Sequence, residues 1–322
     1  VAPAVFQGII VGPGQLAVVD VGKQVQLRPE LATTVTVTTG RLVAGEWSTA
    51  SLFGHAQAAL VDASPAVRSQ WWFPLSGSTA GAPGTAGYWL SDPGNKPARV
   101  TILQSLAAGS TASTTLTVPP SSLVVVSPPP APVPPVKGRP GAPAPGWALV
   151  EVAGGPGVVA AQGAFPLSGA HGSVGAEGFP QVSLGAPAPA TSWVVTGPAI
   201  PVFVAKAAAS NGRSTKGKAA PSGGLLWIAG PEDAQTGSAR TTATVGIFLL
   251  GSAGQAPVRL ATVPVVNGTM RAVELPLGAA SAAAGGLLVV ANAPVVVGVG
   301  YAGVSGALVL PNGVPSMGTA VA

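Results

Sequence analysis

Short runs of Val, Ile, Leu and Thr, each closed off by Gly or Pro, recur along the whole chain. Outside the alanine-rich pieces no stretch sustains an apolar period of ~3.6 residues, so the pattern argues for strands and against amphipathic helices. Strands are expected at Gln15–Val21, Thr33–Thr39, Tyr88–Ser91, Ala98–Gln104, Thr114–Val118, Leu123–Val126, Ala148–Val152, Val158–Gln162 and Trp193–Thr196. Further on they are expected at Leu225–Ile228, Thr244–Leu250, Val258–Pro264, Thr269–Leu275, Leu287–Val290 and Val295–Tyr301. Their lengths and spacing suit antiparallel sandwiches, and the expected fold class is all-β, with tandem immunoglobulin-like β-sandwich modules.

An internal repeat supports the tandem arrangement. GYWLSDPGNKPARVTI from Gly87 aligns with GIFLLGSAGQAPVRLA from Gly246 after one inserted residue. In each copy a strand begins with a Pro and carries an Arg, Pro97 and Arg99 in one and Pro257 and Arg259 in the other. WALVEVAGGPGVVAAQG from Trp147 matches GLLVVANAPVVVGVG from Gly286, each read as a hairpin around a Gly or Asn turn. LATTVTVTTGRLVAGE from Leu31 reads as a third such hairpin without the front half of a module. The expected division is residues 1–68 as a partial module, 69–190 as a first full module and 191–322 as a second. The proline-rich stretch 127–146 is expected to form an extended loop or linker.

The ordered signature WWFPLSG from Trp71, YWLSDPGNKPARVTI, LTVPPSSLVVV and GPGVVAAQ resembles a family of secreted surface proteins of Gram-positive bacteria, mostly actinobacteria. Here Asp92-Pro93 stands where the family has Asn-Pro, and the second module keeps only Trp227, the Pro257 and Arg259 strand and the closing hairpin. The resemblance implies immunoglobulin-like or related sandwich modules at the cell surface and brings no catalytic residue with it.

Composition sharpens this picture. Charged residues make up 8% of the chain, against about a quarter in ordinary globular domains. The net charge of +5 is scattered, with one local cluster at Lys206, Arg213, Lys216 and Lys218 that reads as a solvated loop, so no nucleic-acid partner is expected. With no cysteine, disulfides and thiolate sites are excluded. The VAPA start at Val1 has the small residues left after signal-peptide removal, which predicts a secreted, extracellular or cell-surface protein. The uncharged stretch after Glu274 is broken by Gly285, Gly286, Asn292, Pro294, Gly298, Gly300 and Gly303, so no transmembrane helix is expected.

Candidate chemistry is sparse. His55 and His171 sit in no catalytic or zinc-ligand spacing, and Glu232-Asp233 lacks a calcium-loop rhythm. No G-x-S-x-G elbow or phosphate-cradling loop is present, so neither an enzyme nor a cofactor is expected. Of seven tryptophans, the adjacent Trp71 and Trp72 face opposite sides of a strand and are the candidates for stacking on a cell-wall glycan. Asn267-Gly268-Thr269 is an acceptor sequon, which makes Asn267 a candidate glycosylation site. The expected role is a self-assembling subunit of an extracellular filament, sheath or surface layer, with non-catalytic adhesion or carbohydrate binding as the alternative. The partner would be another copy of the chain, reached through the apolar start VAPAVFQGIIVG. Its Val5, Phe6, Ile9 and Ile10 either pair with the sheet edge of the next subunit or fold back onto their own.

Overall fold

The computed structural model describes residues 6–25, 31–42, 44–52, 55–74, 84–105, 111–126, 147–166, 181–195, 224–231, 241–250, 256–274, 286–301, 316–317 and 319–320. The proline-rich stretch 127–146, His171 and the cluster from Lys206 to Lys218 lie outside them. The chain divides into two units, Val1–Thr34 and Val35–Ala322.

In the first unit the expected strand Gln15–Val21 does not form. Two local turns flank its position. Gln15 N donates to Gly12 O at 3.0 Å, and Gln24 N donates to Val21 O at 3.0 Å. Gly14, at φ +69°, lets the first turn close. A strand needs a neighbour to satisfy its backbone, and none of the residues 6–25 joins a ladder.

The second unit is all-β. Its strands are β1 (Gly45–Leu52), β2 (His55–Asp62), β3 (Gln70–Phe73), β4 (Gly84–Asp92), β5 (Ala98–Ser105), β6 (Thr111–Val118), β7 (Ser122–Val126), β8 (Ala148–Gly154) and β9 (Val159–Pro166). They continue with β10 (Gln181–Leu184), β11 (Ala190–Val195), β12 (Gly224–Ala229), β13 (Thr242–Leu249), β14 (Val258–Val266), β15 (Met270–Glu274), β16 (Leu287–Tyr301), β17 (Ser316–Met317) and β18 (Thr319–Ala320). β1 and β2 form a two-stranded antiparallel hairpin that the alanine-rich sequence did not announce. The expected strand Thr33–Thr39, and the hairpin built on it, are absent: residues 31–39 pair with nothing among the described residues.

Two sandwiches follow. In the first, the sheets run β3-β8-β5-β6 and β10-β9-β4-β7. Alternate residues of both meet in one core, with Trp71, Phe73, Val100, Ile102 and Val150 facing Tyr88, Leu90, Val158 and Ala160. The second repeats that order with new strands. β11, the first half of β16, β13 and β14 form one sheet, with β18 added outside β11, while β17, the second half of β16, β12 and β15 form the other. The structural repeat therefore equates β5-β6 with β13-β14. The sequence alignment from Gly87 and Gly246 instead laid β4-β5 over β13-β14 and is corrected by one strand. The short apolar strand, turn and Pro-Arg entry that carried the alignment suit a sheet-to-sheet crossing, as from β4 to β5, as well as a hairpin, as from β13 to β14.

The expected closing hairpins are likewise not hairpins. β8 pairs in one sheet and β9 in the other, and β16 is one strand whose two halves serve different sheets. In the first sandwich the switch is made by Gly155 (φ +113°) and Gly157 (φ +98°) around Pro156. A Cβ on Gly155 would lie 2.8 Å from Pro97 O, and one on Gly157 would lie 3.0 Å from Arg68 O. In the second, the switch falls at Asn292-Ala293-Pro294, and Asn292 Oδ1 accepts the Thr244 N–H at 2.7 Å. One indole marks each switch. Trp71 Nε1 donates to Val158 O at 2.8 Å, and Trp193 Nε1 donates to Val295 O at 2.9 Å.

Candidate interaction surface

β3 has both faces covered. Trp71 and Phe73 point into the core of the first sandwich, whereas Trp72 belongs with Trp147, Leu149 and Ala186 to the apolar cluster that also forms the core of the second. Trp72 and Trp147 lie 5.6 Å apart between ring centroids, tilted by 45°. Trp147 Nε1 then donates to Gly268 O at 3.1 Å. That bond ties the start of β8 to the turn between β14 and β15. The two sandwiches thus share a seam of aromatic and aliphatic side chains, across which Trp147 makes a directed hydrogen bond.

This arrangement corrects the expectation for Trp71 and Trp72. They are 3% and 7% exposed, so neither offers a ring face to a sugar. The two do point to opposite faces of the strand, but the second face meets another sandwich instead of solvent. Trp147, Trp193 and Trp227 are also buried, and Trp89 is half-buried.

Asn267 sits in the same seam-side turn. Its Nδ2 donates to Thr241 Oγ1 at 2.6 Å, Thr269 Oγ1 donates to Val266 O at 2.6 Å, and Gly268 takes φ +80°. The sequon residues therefore close the β14–β15 turn on which Trp147 docks, and a glycan on Asn267 would share the nitrogen that donates to Thr241.

The polar interior is small and local. Gln104 Nε2 donates to Tyr88 Oη at 3.3 Å inside the first sandwich, and burial pushes the Tyr88 phenol well above its ordinary range. Asp92, fully buried, accepts the Gly94 N–H at 2.8 Å on Oδ1 and so closes the turn after β4. Among the described residues no three His, Cys, Asp or Glu side chains gather where a metal ion would bind. No helix of the described residues is long and apolar enough to cross a membrane.

The apolar surface lies elsewhere. Of the expected assembly residues, Val5 is outside the described residues, Phe6 is half-buried, and Ile9 and Ile10 are exposed. Ile10 is 92% exposed, and Leu16 at 88% and Val18 at 86% are exposed further along the chain, beyond the residues expected from sequence. Val35 and Val37, at 55% and 45%, add a second exposed apolar stretch. Their alternation with Thr is visible in the sequence, where it reads as part of a hairpin that does not form.

No protein-family model and no curated protein matches the sequence. Among solved structures the chain is similar to the crystal structure of Thermotoga maritima 1070, at 13% identity over 37% of this chain and 94% of that one, with a TM-score of 0.26. It is also similar to the N-terminal CBM22-1-CBM22-2 tandem domain of Paenibacillus barcinonensis Xyn10C, at 10% identity over 80% of this chain and 87% of that one, with a TM-score of 0.17. Neither likeness bears on what the chain does.

Proposed function

We propose that the chain is a secreted structural protein, a subunit of an extracellular filament, sheath or surface layer that assembles from copies of itself through β-strand contacts. The observation that carries this reading is the exposed apolar start of the chain, outside any ladder, where Ile9, Ile10, Leu16 and Val18 all face solvent. A run of exposed aliphatic residues that joins no sheet is a poor surface for an isolated monomer and a good one for strand addition. The 8% charge leaves little electrostatic repulsion to keep copies apart. The resemblance to secreted Gram-positive surface proteins points the same way. With Trp71 and Trp72 buried, no observation favours the carbohydrate-binding alternative.

Deleting Val1–Val11 and comparing sedimentation and negative-stain images with the full chain tests the reading. A folded monomer that no longer assembles is the expected result. Assembly that continues unchanged removes the N-terminal segment as the contact, and a full chain that stays monomeric at every concentration overturns the reading.

A further inference from the structure

The β-sheet edges of the second unit differ in how they are protected. Edge strands are ordinarily kept from pairing with other chains by charge, proline or shortness. Among the described edge strands of eight residues or more, β1 carries Glu46, β2 carries Asp62, and β14 carries Arg259 and Pro264. β6, TASTTLTV, carries none of these. It pairs with β5 along its whole length, Ala98↔Val118 to Ser105↔Thr111, and among the described residues its other edge has no backbone partner. Its side chains alternate strictly. Thr111, Ser113, Thr115 and Thr117 are exposed, while Ala112, Thr114 and Leu116 are half-buried and Val118 is buried.

A segment with the complementary pattern is also unpaired among the described residues. Leu31–Thr39, LATTVTVTT, has neither charge nor proline, and Leu31, Val35 and Val37 alternate with Thr34, Thr36 and Thr38. It is nine residues against the eight of β6, so the lengths match. The β-branched composition favours a strand wherever a partner is supplied. Laid beside β6, its Val side would continue the Thr114 and Leu116 face toward the core, and its Thr34, Thr36 and Thr38 side would extend the outer hydroxyl face. That outer face already pairs Thr101 Oγ1 with Thr115 Oγ1 at 3.1 Å.

We propose that Leu31–Thr39 of one copy adds as a strand to the β6 edge of a second copy. Among the described residues neither pairs within its own chain, which leaves each open to another molecule. Donor and acceptor are different surfaces, which makes the contact heterologous: each copy gives one strand and receives another, so copies add head-to-tail into a ring or an open filament. The inference rests on the assembly reading above and names a strand distinct from Val5–Ile10 as its contact.

The absence of cysteine from the chain makes the test direct. Full-length Thr36→Cys protein is mixed with full-length, mass-tagged Ser113→Cys, Thr115→Cys or Thr117→Cys protein and oxidised, with Lys23→Cys in place of Thr36→Cys as the collision control. The expected result is a disulfide between position 36 of one chain and one of the three β6 positions of the other, several-fold above the control and above homodimers, located by peptide mass. Linkage no greater than the control overturns the proposal. So does a Thr36→Cys/Thr115→Cys double variant that closes within one chain as a monomer. Sedimentation of the unmodified protein in the same buffer separates the two ideas. Assembly without the linkage removes this contact and leaves the assembly reading standing, whereas a lasting monomer removes both.

Discussion

Trp147→Ala should uncouple the two sandwiches. Trp147 is 4% exposed, stacks beside Trp72 and donates to Gly268 O at 3.1 Å. A buried tryptophan removes about 150–250 Å² from water, worth about 4–6 kcal/mol at about 25 cal/mol per Å². The retained methyl and partial collapse of the site bring the cost to about 3–5 kcal/mol. Loss of the indole bond adds about 1 kcal/mol. That total approaches the whole stability of a small domain, about 5–15 kcal/mol. Because the side chain leaves the residue just before β8 of the first sandwich and packs in the core cluster of the second, the loss falls on the seam and not on either interior alone. Urea unfolding followed by circular dichroism should change from one transition to two, with the midpoint of the first well below that of the unmodified protein. Trp147→Phe keeps most of the apolar contact and loses only the bond, so it should cost about 1–2 kcal/mol and keep a single transition. If Trp147→Ala costs less than about 1 kcal/mol, or if Trp147→Phe is as damaging as Trp147→Ala, the seam is not what couples the sandwiches.

Three further outcomes are expected. Gly157→Ala places a Cβ at φ +98° and 3.0 Å from Arg68 O, and should cost at least about 1–3 kcal/mol in thermal or urea unfolding, whereas Gly154→Ala, with open space around its Cβ, should cost little. Burial raises the folded-state pKa of Tyr88 above its unfolded value of about 10, so its contribution is intact below that pH and is lost as pH rises further; Tyr88→Phe should flatten the alkaline decline in stability. With ten carboxylates in the chain, and the Lys23–Asp20 contact at 3.5 Å fully at the surface, acidification removes little folded-state attraction. The melting temperature should stay nearly level from about pH 6 to about pH 3, and a collapse over that interval would contradict the reasoning.

The sequence by itself determined the fold class and most strand positions, because a period of two in short β-branched runs between Gly and Pro is a local property. β5 shows this directly: Ala98, Val100 and Ile102 are buried while Arg99 is exposed, as ARVTILQS reads. Local pattern does not report which strand is the neighbour. That is why residues 31–39, as good a strand as any by composition, stand unpaired among the described residues, while the alanine-rich Gly45–Asp62 pairs into a hairpin. Nor does it report which sheet a strand joins. The GGPG after β8 reads as a hairpin turn in sequence, and only the approach of Pro97 and Arg68 to Gly155 and Gly157 makes it a crossing between sheets. The tryptophans teach the same lesson for the candidate site. That Trp71 and Trp72 point to opposite faces follows from strand geometry alone, but whether the second face meets a sugar, solvent or another sandwich depends on residues far away in the chain. Trp147 and the Gly268 turn, 121 positions apart, decided it. Burial is a property of the assembled layers, and no single strand carries it.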